Sequence, residues 1–323
     1  MSFLIQLLLH PEAWYHAHEL LAGQLGVDGL LALSLWLTLY SGQLTLANAG
    51  FMAIGAYTSV ILNGGTTSAG RVVPGLSLPF PVATAAGMLL AAVAAVVIGV
   101  AVVRLRGVFL AIATIGFGEA LRFGVILNLG ITGKGEGLNN PHAALTSGIG
   151  PIWLSLLVLA YAGWRLTGSK TGVAWAAIRE DERAAAAQGI DVTRYKLAAF
   201  VLGAMVASYA GALSAHLSFL VDNGDYSFSL AINILIWAVV GGIAFVIGPI
   251  IGAILLNILP EVLRFAQSYR NVIDGVILIG IVIYLPDGLF HRRTRRGRPR
   301  WWPARWWPAR WRPTEPAPQP TPP

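Results

Sequence analysis

Few residues in this sequence are of types that could do chemistry, and most of them sit in apolar surroundings. Glu119 and Arg122 in "GFGEALRFG", and Glu261 and Arg264 in "LPEVLRFA", form two acid–base pairs, each three residues apart. On a helix that spacing places both partners on one face, where they neutralise each other as a structural ion pair. The sharper alternative is a proton carrier or a clamp for a substrate carboxylate, since charged groups at membrane depth are costly and often functional. A third cluster is "REDERAAAAQGIDVTRYK", in which eight of the eighteen residues from Arg179 to Lys196 are charged. The stretch "GITGKGEGLNN" at 130–140 has the glycines of a phosphate loop. It lacks a Ser or Thr after Lys134 and follows no strand, so it fails the context test for nucleotide binding. The six His give no metal-ligand spacing, and the absence of Cys excludes disulfides, redox pairs and thiolate metal sites. The chain therefore reads as non-catalytic, with no cofactor of its own.

The elements that position these residues are membrane helices. Hydrophobic residues make up 56% of the chain, charged residues 11%, and the mean hydropathy is +0.67. A soluble domain needs roughly a quarter of its residues charged to solvate its surface. The fold class is all-α, a polytopic integral membrane protein with about nine transmembrane or partly embedded helices near 26–41, 50–63, 81–103, 107–129, 149–166, 197–220, 229–247, 250–268 and 271–287. Several fall short of the ~20 residues that span a bilayer comfortably, so tilted or incomplete crossings are expected. Residues 1–25 read as an outer amino-terminal segment rather than a cleaved signal peptide, 26–290 as the membrane domain, and 291–323 as a disordered tail.

The net charge of +7 divides unevenly. Residues 288–323 hold nine Arg and one Glu, which leaves 13 basic against 14 acidic residues in 1–287. With nine crossings and the carboxyl end inside, 17 of the 22 basic residues fall on inside segments, so the positive-inside rule predicts an outside amino terminus and a cytoplasmic carboxyl terminus. The charged stretch then lies in a cytoplasmic loop at 166–196. Val173, Ala177, Ala184, Ala187 and Ile190 are expected to gather on one side of it, and Gly189 to end one helical piece before Asp191 or Thr193 caps the next. A solvated amphipathic loop is the plain alternative to a docking knob.

"AIREDERAAAAQGIDVTRYKLAAFVLGAMVASYAGAL" resembles the signature segment of the permease subunits of branched-chain amino-acid ABC importers. "YSGQLTLANAGFMAIGAYTSVIL" (40–62), "RLRGVFLAIATIGFGEALR" (104–122), "ILIWAVVGGIAFVIGPIIGAILLNILPEVLR" (234–264) and "YLPDGLF" (284–290) are similar to further blocks of that family. The resemblance covers roughly 26–290 and implies the ABC importer permease fold in a bacterial inner membrane. It implies that 166–196 is a coupling element seated in a partner ATPase, with Arg179, Glu180, Asp181, Glu182 and Arg183 giving orientation and Ala185 and Gly189 close approach. The family's Glu-Ala-Ala pattern is shifted here, Arg183 standing six before Gly189 with Glu182 beside it. The implied partners are a homologous permease chain, two cytoplasmic ATPases that bind ATP and Mg, and an extracytoplasmic binding protein. Thr132, Gly133, Gly135, Glu136 and Gly137 resemble the family's glycine-rich outer loop, which faces that binding protein or is simply flexible.

For a zwitterionic amino acid, neutral polar groups suit the path. Gln43, Thr45 and Asn48 lie in a glycine-flanked break where an interrupted helix could expose backbone groups, and Tyr57, Thr114 and Asn233 are further candidates. Each could equally be an interhelical hydrogen-bond partner. Rival functions are import of urea or short amides within the family and, from another class, an ion-gradient-driven secondary transporter using Glu119 or Glu261. The tail "RWWPARWWPARWRP" repeats Arg-Trp-Trp-Pro-Ala twice. Its prolines forbid a regular helix, and its Arg and Trp suit anionic lipid rather than nucleic acid.

Overall fold

The computed structural model describes residues 19–67, 70–71, 77–126, 132, 136–140, 149–218 and 220–262. Among the described residues ten α-helices carry the fold: α1 (Glu19–Tyr40), α2 (Asn48–Leu62), α3 (Phe80–Val102), α4 (Val108–Ala120), α5 (Gly150–Thr167), α6 (Lys170–Glu180), α7 (Glu182–Ala187), α8 (Val192–Leu217), α9 (Phe228–Gly241) and α10 (Ile247–Val262). A π-turn, Leu121–Ile126, continues α4. α1, α3 and α8 are long and apolar enough to cross a membrane, and α2, α9 and much of α10 form shorter apolar helices.

α1 is apolar all round because it is enclosed all round. Leu30, Leu31, Leu35 and Trp36 are fully buried, and α5, α8, α9 and α10 pack against this helix. α3 has the opposite character. Ala83, Gly87, Ala91, Ala95 and Gly99 recur every fourth residue and face the bundle, while Leu89, Leu90, Val93, Val97 and Val100 are exposed. That distribution suits a helix with lipid along its outer face.

Two ends of the bundle are defined by contacts. At one, four two-residue strands, β1 (Thr66–Thr67), β2 (Gly70–Arg71), β3 (Leu138–Asn139) and β4 (Leu220–Val221), form an antiparallel sheet in the order β2-β1-β3-β4. Thr66 pairs with Asn139 and Leu138 with Val221, which ties together the connections after α2, α4 and α8. At the other, Arg106 meets Glu182, Gln43 meets Lys196, and Trp36 Nε1 donates to the Ile243 carbonyl at 3.1 Å. Seven helices, α1 to α5, α8 and α9, run between these ends, and α10 sets out from the second. α2, only 15 residues long, completes its crossing because the preceding segment 41–47 is itself buried in the bundle, as Ser41, Gln43, Thr45, Leu46 and Ala47 show. Irregular backbone at that depth is tolerated only where protein covers it.

The expected helices at 26–41, 107–129, 197–220 and 229–247 differ at their boundaries. The first begins at Glu19, so 19–25 belongs to α1; α8 begins at Val192, so the charged stretch runs into the span as continuous helix. The fourth span changes to π geometry after Ala120, and α9 ends at Gly241, leaving 242–246 as a turn. The ninth span at 271–287, the tail 291–323 and residues 1–18 lie outside the described residues.

Close approach of backbones holds α2 against α8. A Cβ at Gly55 would lie 1.9 Å from the Ser208 carbonyl oxygen, and one at Gly211 2.0 Å from that of Met52. Neither oxygen can move without bending its helix. Gly55→Val and Gly211→Val are therefore expected to lower stability by about 1–3 kcal/mol or more, whereas Gly116→Ala, with nothing within 4 Å, is expected to be silent. Thermal midpoints of the detergent-purified variants test this; equal midpoints for all three would contradict the packing.

Candidate functional site

The buried break supplies the first part of the site. Gln43 Nε2 donates to Ser41 Oγ at 2.8 Å and to the Lys196 carbonyl at 2.9 Å. Thr114 Oγ1 accepts from the Leu46 amide at 3.0 Å and turns back to the carbonyls of its own helix. Thr45 Oγ1 accepts from the Ala47 amide, and Asn48 Nδ2 donates to Ser34 Oγ at 2.6 Å. The sequence candidates Gln43, Thr45, Asn48 and Thr114 are thus brought together: Thr45 and Thr114 satisfy amides of a backbone that has left helical geometry, while Gln43 and Asn48 tie the break to α8 and α1. Two polar atoms here and above remain without partners, Gln43 Oε1 and the Tyr57 hydroxyl; the Tyr57 ring meets Tyr226 edge-on at 5.9 Å. Asn233 stands apart from this group, on the exposed side of α9.

The second part is the helical knob α6–α7. Ser169 accepts from the Gly172 amide to start α6, and Asp181 accepts from the amides of Arg183 and Ala184 to start α7 at an angle to it. α7 closes on Gly189 with φ +84°, the Gly189 amide donating to Ala186 and the Ile190 amide to Ala185. That pairing is a Schellman cap, which needs a left-handed residue and hence glycine. Gly189 has no neighbour within 4 Å of a Cβ position, so its backbone conformation is what the fold uses.

The inward face of the knob differs from the sequence expectation. Gly172, Ala174, Trp175 and Ile178 are buried, with Trp175 Nε1 donating to the Tyr195 carbonyl at 2.8 Å, while Val173 is 62% exposed. Ala185 is likewise buried in its own chain, so the small outward surface consists of Ala184, Ala186 and Ala187. The shift arises because Trp175, one position away from the expected stripe, is the largest apolar side chain in the segment and takes the interior. Arg179 is partly tucked in, lying over the Tyr40 ring at 5.2 Å. Its Cα would be 3.1 Å from a Cβ at Gly42, whose φ of +81° also requires glycine. Glu180, Asp181 and Arg183 remain exposed.

A charged clamp joins knob to bundle. Glu182 receives Arg106 at 3.2 Å and the Nζ of Lys196, whose residue is 3% exposed. Arg106 is 66% exposed on its side chain and contributes little through that contact. Lys196 is the partner that matters, because a buried ammonium without a carboxylate carries an uncompensated desolvation cost. Neither the burial of Lys196 nor its pairing with Glu182 was legible from sequence spacing, which placed both in a cytoplasmic loop.

Of the two acid–base pairs, Glu119 and Arg122 do pair, at 3.2 Å. Glu119 also accepts from the Phe228 amide at 3.0 Å, at the first turn of α9, whose N-cap Ser227 makes no side-chain cap. A carboxylate at a helix N-terminus is stabilised by the partial positive charge there. Sequence reasoning missed this partner because it lies 109 residues away. Arg122 stacks on Phe123 at 4.5 Å. The side chain of Glu261 and all of Arg264 lie outside the described residues, as do Gly133 and Gly135; Thr132 is buried and Gly137 adopts φ +75° at the start of β3. Asp28, not singled out from sequence, accepts from Asn257 at 3.1 Å and links α1 to α10.

A bundle of apolar helices with small-residue seams, a buried helix break and a clamped helical knob at one end defines a polytopic membrane permease. Residues 19–282 match the family described as branched-chain amino acid transport system / permease component, and the chain belongs to that family. It is 31% identical to the high-affinity branched-chain amino acid transport system permease protein LivM of Salmonella typhimurium, over 77% of this chain and 64% of the relative, and equally so to LivM of Escherichia coli K12. It is 30% identical to the permease protein LivH of Salmonella typhimurium, over 50% of this chain and 52% of the relative. The chain thus spans somewhat less than two thirds of the length of these relatives. No solved structure matches it.

Glu182→Gln is expected to lower stability by about 3 kcal/mol, because it strands the Lys196 ammonium. Removing both charges together, Glu182→Gln with Lys196→Met, is expected to recover most of that loss. Chemical or thermal unfolding of the three proteins tests the clamp; a double variant no more stable than Glu182→Gln alone would contradict it.

Proposed function

We propose that this chain is a permease subunit of an ATP-driven importer and forms the path by which branched-chain or related amino acids cross the inner membrane. It works with a homologous permease chain of the LivH kind, two cytoplasmic ATPases that hold ATP and Mg, and an extracytoplasmic binding protein that delivers the solute. Membership of the permease family supports the class, and the names of the LivM and LivH relatives support the substrate class.

The observation that carries the mechanism is the clamped knob. α6 and α7 meet at a fixed angle through Asp181, and Glu182 ties α7 to the buried foot of α8. Gln43 in turn donates to the carbonyl of Lys196, so the knob, α8 and the helix break form one connected unit. A push on the knob is thereby transmitted to the buried helix break between α1 and α2. The knob end carries Arg104, Arg106, Arg165, Lys170, Arg179, Arg183, Arg194 and Lys196, while among the described residues the connections at the sheet end carry Arg71. That bias orients the knob to the cytoplasm. A carrier driven by a proton gradient would need Glu119 free to exchange protons, and its two bonds, to Arg122 and to the Phe228 amide, count against that role.

The test is uptake of labelled leucine by proteoliposomes containing the full set of subunits. Val173→Asp and Ala187→Trp, both on the outward surface of the knob, are expected to leave insertion and thermal midpoint unchanged. ATPase affinity is expected to fall about ten- to hundredfold, as a clash or stranded charge of 1–3 kcal/mol dictates, and uptake to fall with it. Uptake by this chain alone under a pH gradient, independent of the ATPases, would overturn the proposal.

A further inference from the structure

At the knob end a cavity of about 240 Å³ lies between the α3–α4 connection, α7 and the first turn of α8. Its charged lining is Arg104, Arg106, Arg183 and Lys196 against Glu182. Both oxygens of Glu182 are taken, one by Arg106 and the other by Lys196. The guanidinium groups of Arg104 and Arg183 have no counter-ion among the described residues. With Glu182 neutralising the buried Lys196, the cavity holds three positive charges in excess, on Arg104, Arg106 and Arg183. Guanidinium pairs of this kind match an anion with several acceptor oxygens, above all a phosphate.

The apolar surroundings identify which phosphate. The cavity sits where α3 ends at Val102, and the outer face of α3 exposes Leu89, Leu90, Val93, Val97 and Val100 along its length. Leu105, between the two arginines, and Val108 and Phe109, just after them, are all exposed, Phe109 by 74%. A free phosphate needs only the cations. A phospholipid needs cations with an apolar track leading away from them, which is what this corner of the fold provides. Basic pockets between membrane helices on the cytoplasmic side are suited to anionic headgroups.

We propose that this cavity binds the phosphate of an anionic phospholipid in the leaflet on the knob side, with its acyl chains lying along Leu105, Val108, Phe109 and the outer face of α3. Because Arg183 and Glu182 belong to the knob, the lipid touches the same short helix that the cytoplasmic partner is proposed to engage, and lipid charge bears on how firmly that helix is held.

The experiment reconstitutes the full chain in phosphatidylcholine bilayers with trace spin-labelled phosphatidylglycerol or, separately, spin-labelled phosphatidylcholine, and compares the motionally restricted fractions. Phosphatidylglycerol is expected to be preferred roughly thirtyfold, as two unpaired cations near a lipid surface imply. The preference is expected to vanish in Arg104→Gln/Arg183→Gln, to persist in Arg104→Lys/Arg183→Lys, and to resist millimolar inorganic phosphate. Should the double Gln variant fail to fold, Arg104→Gln alone, at an exposed position, is expected to reduce the preference by about half on a logarithmic scale. No preference in the wild-type chain, or one undiminished by the Gln substitutions, would overturn the proposal. So would displacement of the labelled lipid by inorganic phosphate, which would mark a soluble-anion site, or by the purified ATPase partner, which would assign the cavity to a protein carboxylate.

Discussion

An ammonium group removed from water costs several kcal/mol unless a carboxylate is held against it, and among the described residues Lys196 meets that condition only through Glu182. The consequence extends well beyond one ion pair. Glu182 can reach Lys196 only if α7 folds back on the foot of α8, which requires the Asp181 junction and the Schellman turn at Gly189. The backbone of Lys196, fixed in the same place, accepts from Gln43 and so anchors the non-helical segment between α1 and α2. One desolvated charge thus sets the geometry of the knob at the surface and of the break inside the bundle.

The remainder of the bundle is held by different physics. Lipid chains are as apolar as leucine, so apolar burial alone does little to join helices within a membrane; close van der Waals contact and internally satisfied polar groups must do so. Glycines at 55, 203 and 211, and the contact of Gly241 in α9 with Gly248 and Gly252 in α10, allow helix backbones to touch. Where the backbone departs from helix, side chains from other elements replace the lost bonds, as Thr114 does for Leu46 and Glu119 does for Phe228. The polar residues within the membrane domain are largely a response to that constraint.

The sequence revealed the class and the rough span positions because lipid exposure demands long apolar runs, and those are visible without any tertiary information. It also located the break at 41–47 and the turn at Gly189, since both depend on local glycine chemistry. It offered Asp191 as the cap of a new helix, and Asp191 does cap α8, but it did not reveal that this helix runs unbroken into the membrane span, because a charged first turn resembles a loop until Lys196 is seen to be buried. The inward face of the knob was misplaced for a related reason: periodicity assigned Val173 and Ala177 to it, whereas the size of Trp175 decided the matter. Glu119 was correctly matched to Arg122 by spacing, but its bond to the Phe228 amide spans the chain and leaves no local trace. Contacts between distant segments, rather than element identity, were what the sequence concealed.

The account depends most on the exposed face of α6–α7 being cytoplasmic and covered by the ATPase, and the chain lends itself to a direct measurement because it contains no cysteine. A single cysteine placed at Val173 is the only thiol that a membrane-impermeant maleimide can modify. In sealed vesicles of known orientation, the account predicts labelling from the cytoplasmic side alone, and strong protection when the ATPase subunits are bound. Labelling from the outer side, or labelling from the cytoplasmic side that the bound ATPases leave unchanged, would contradict it.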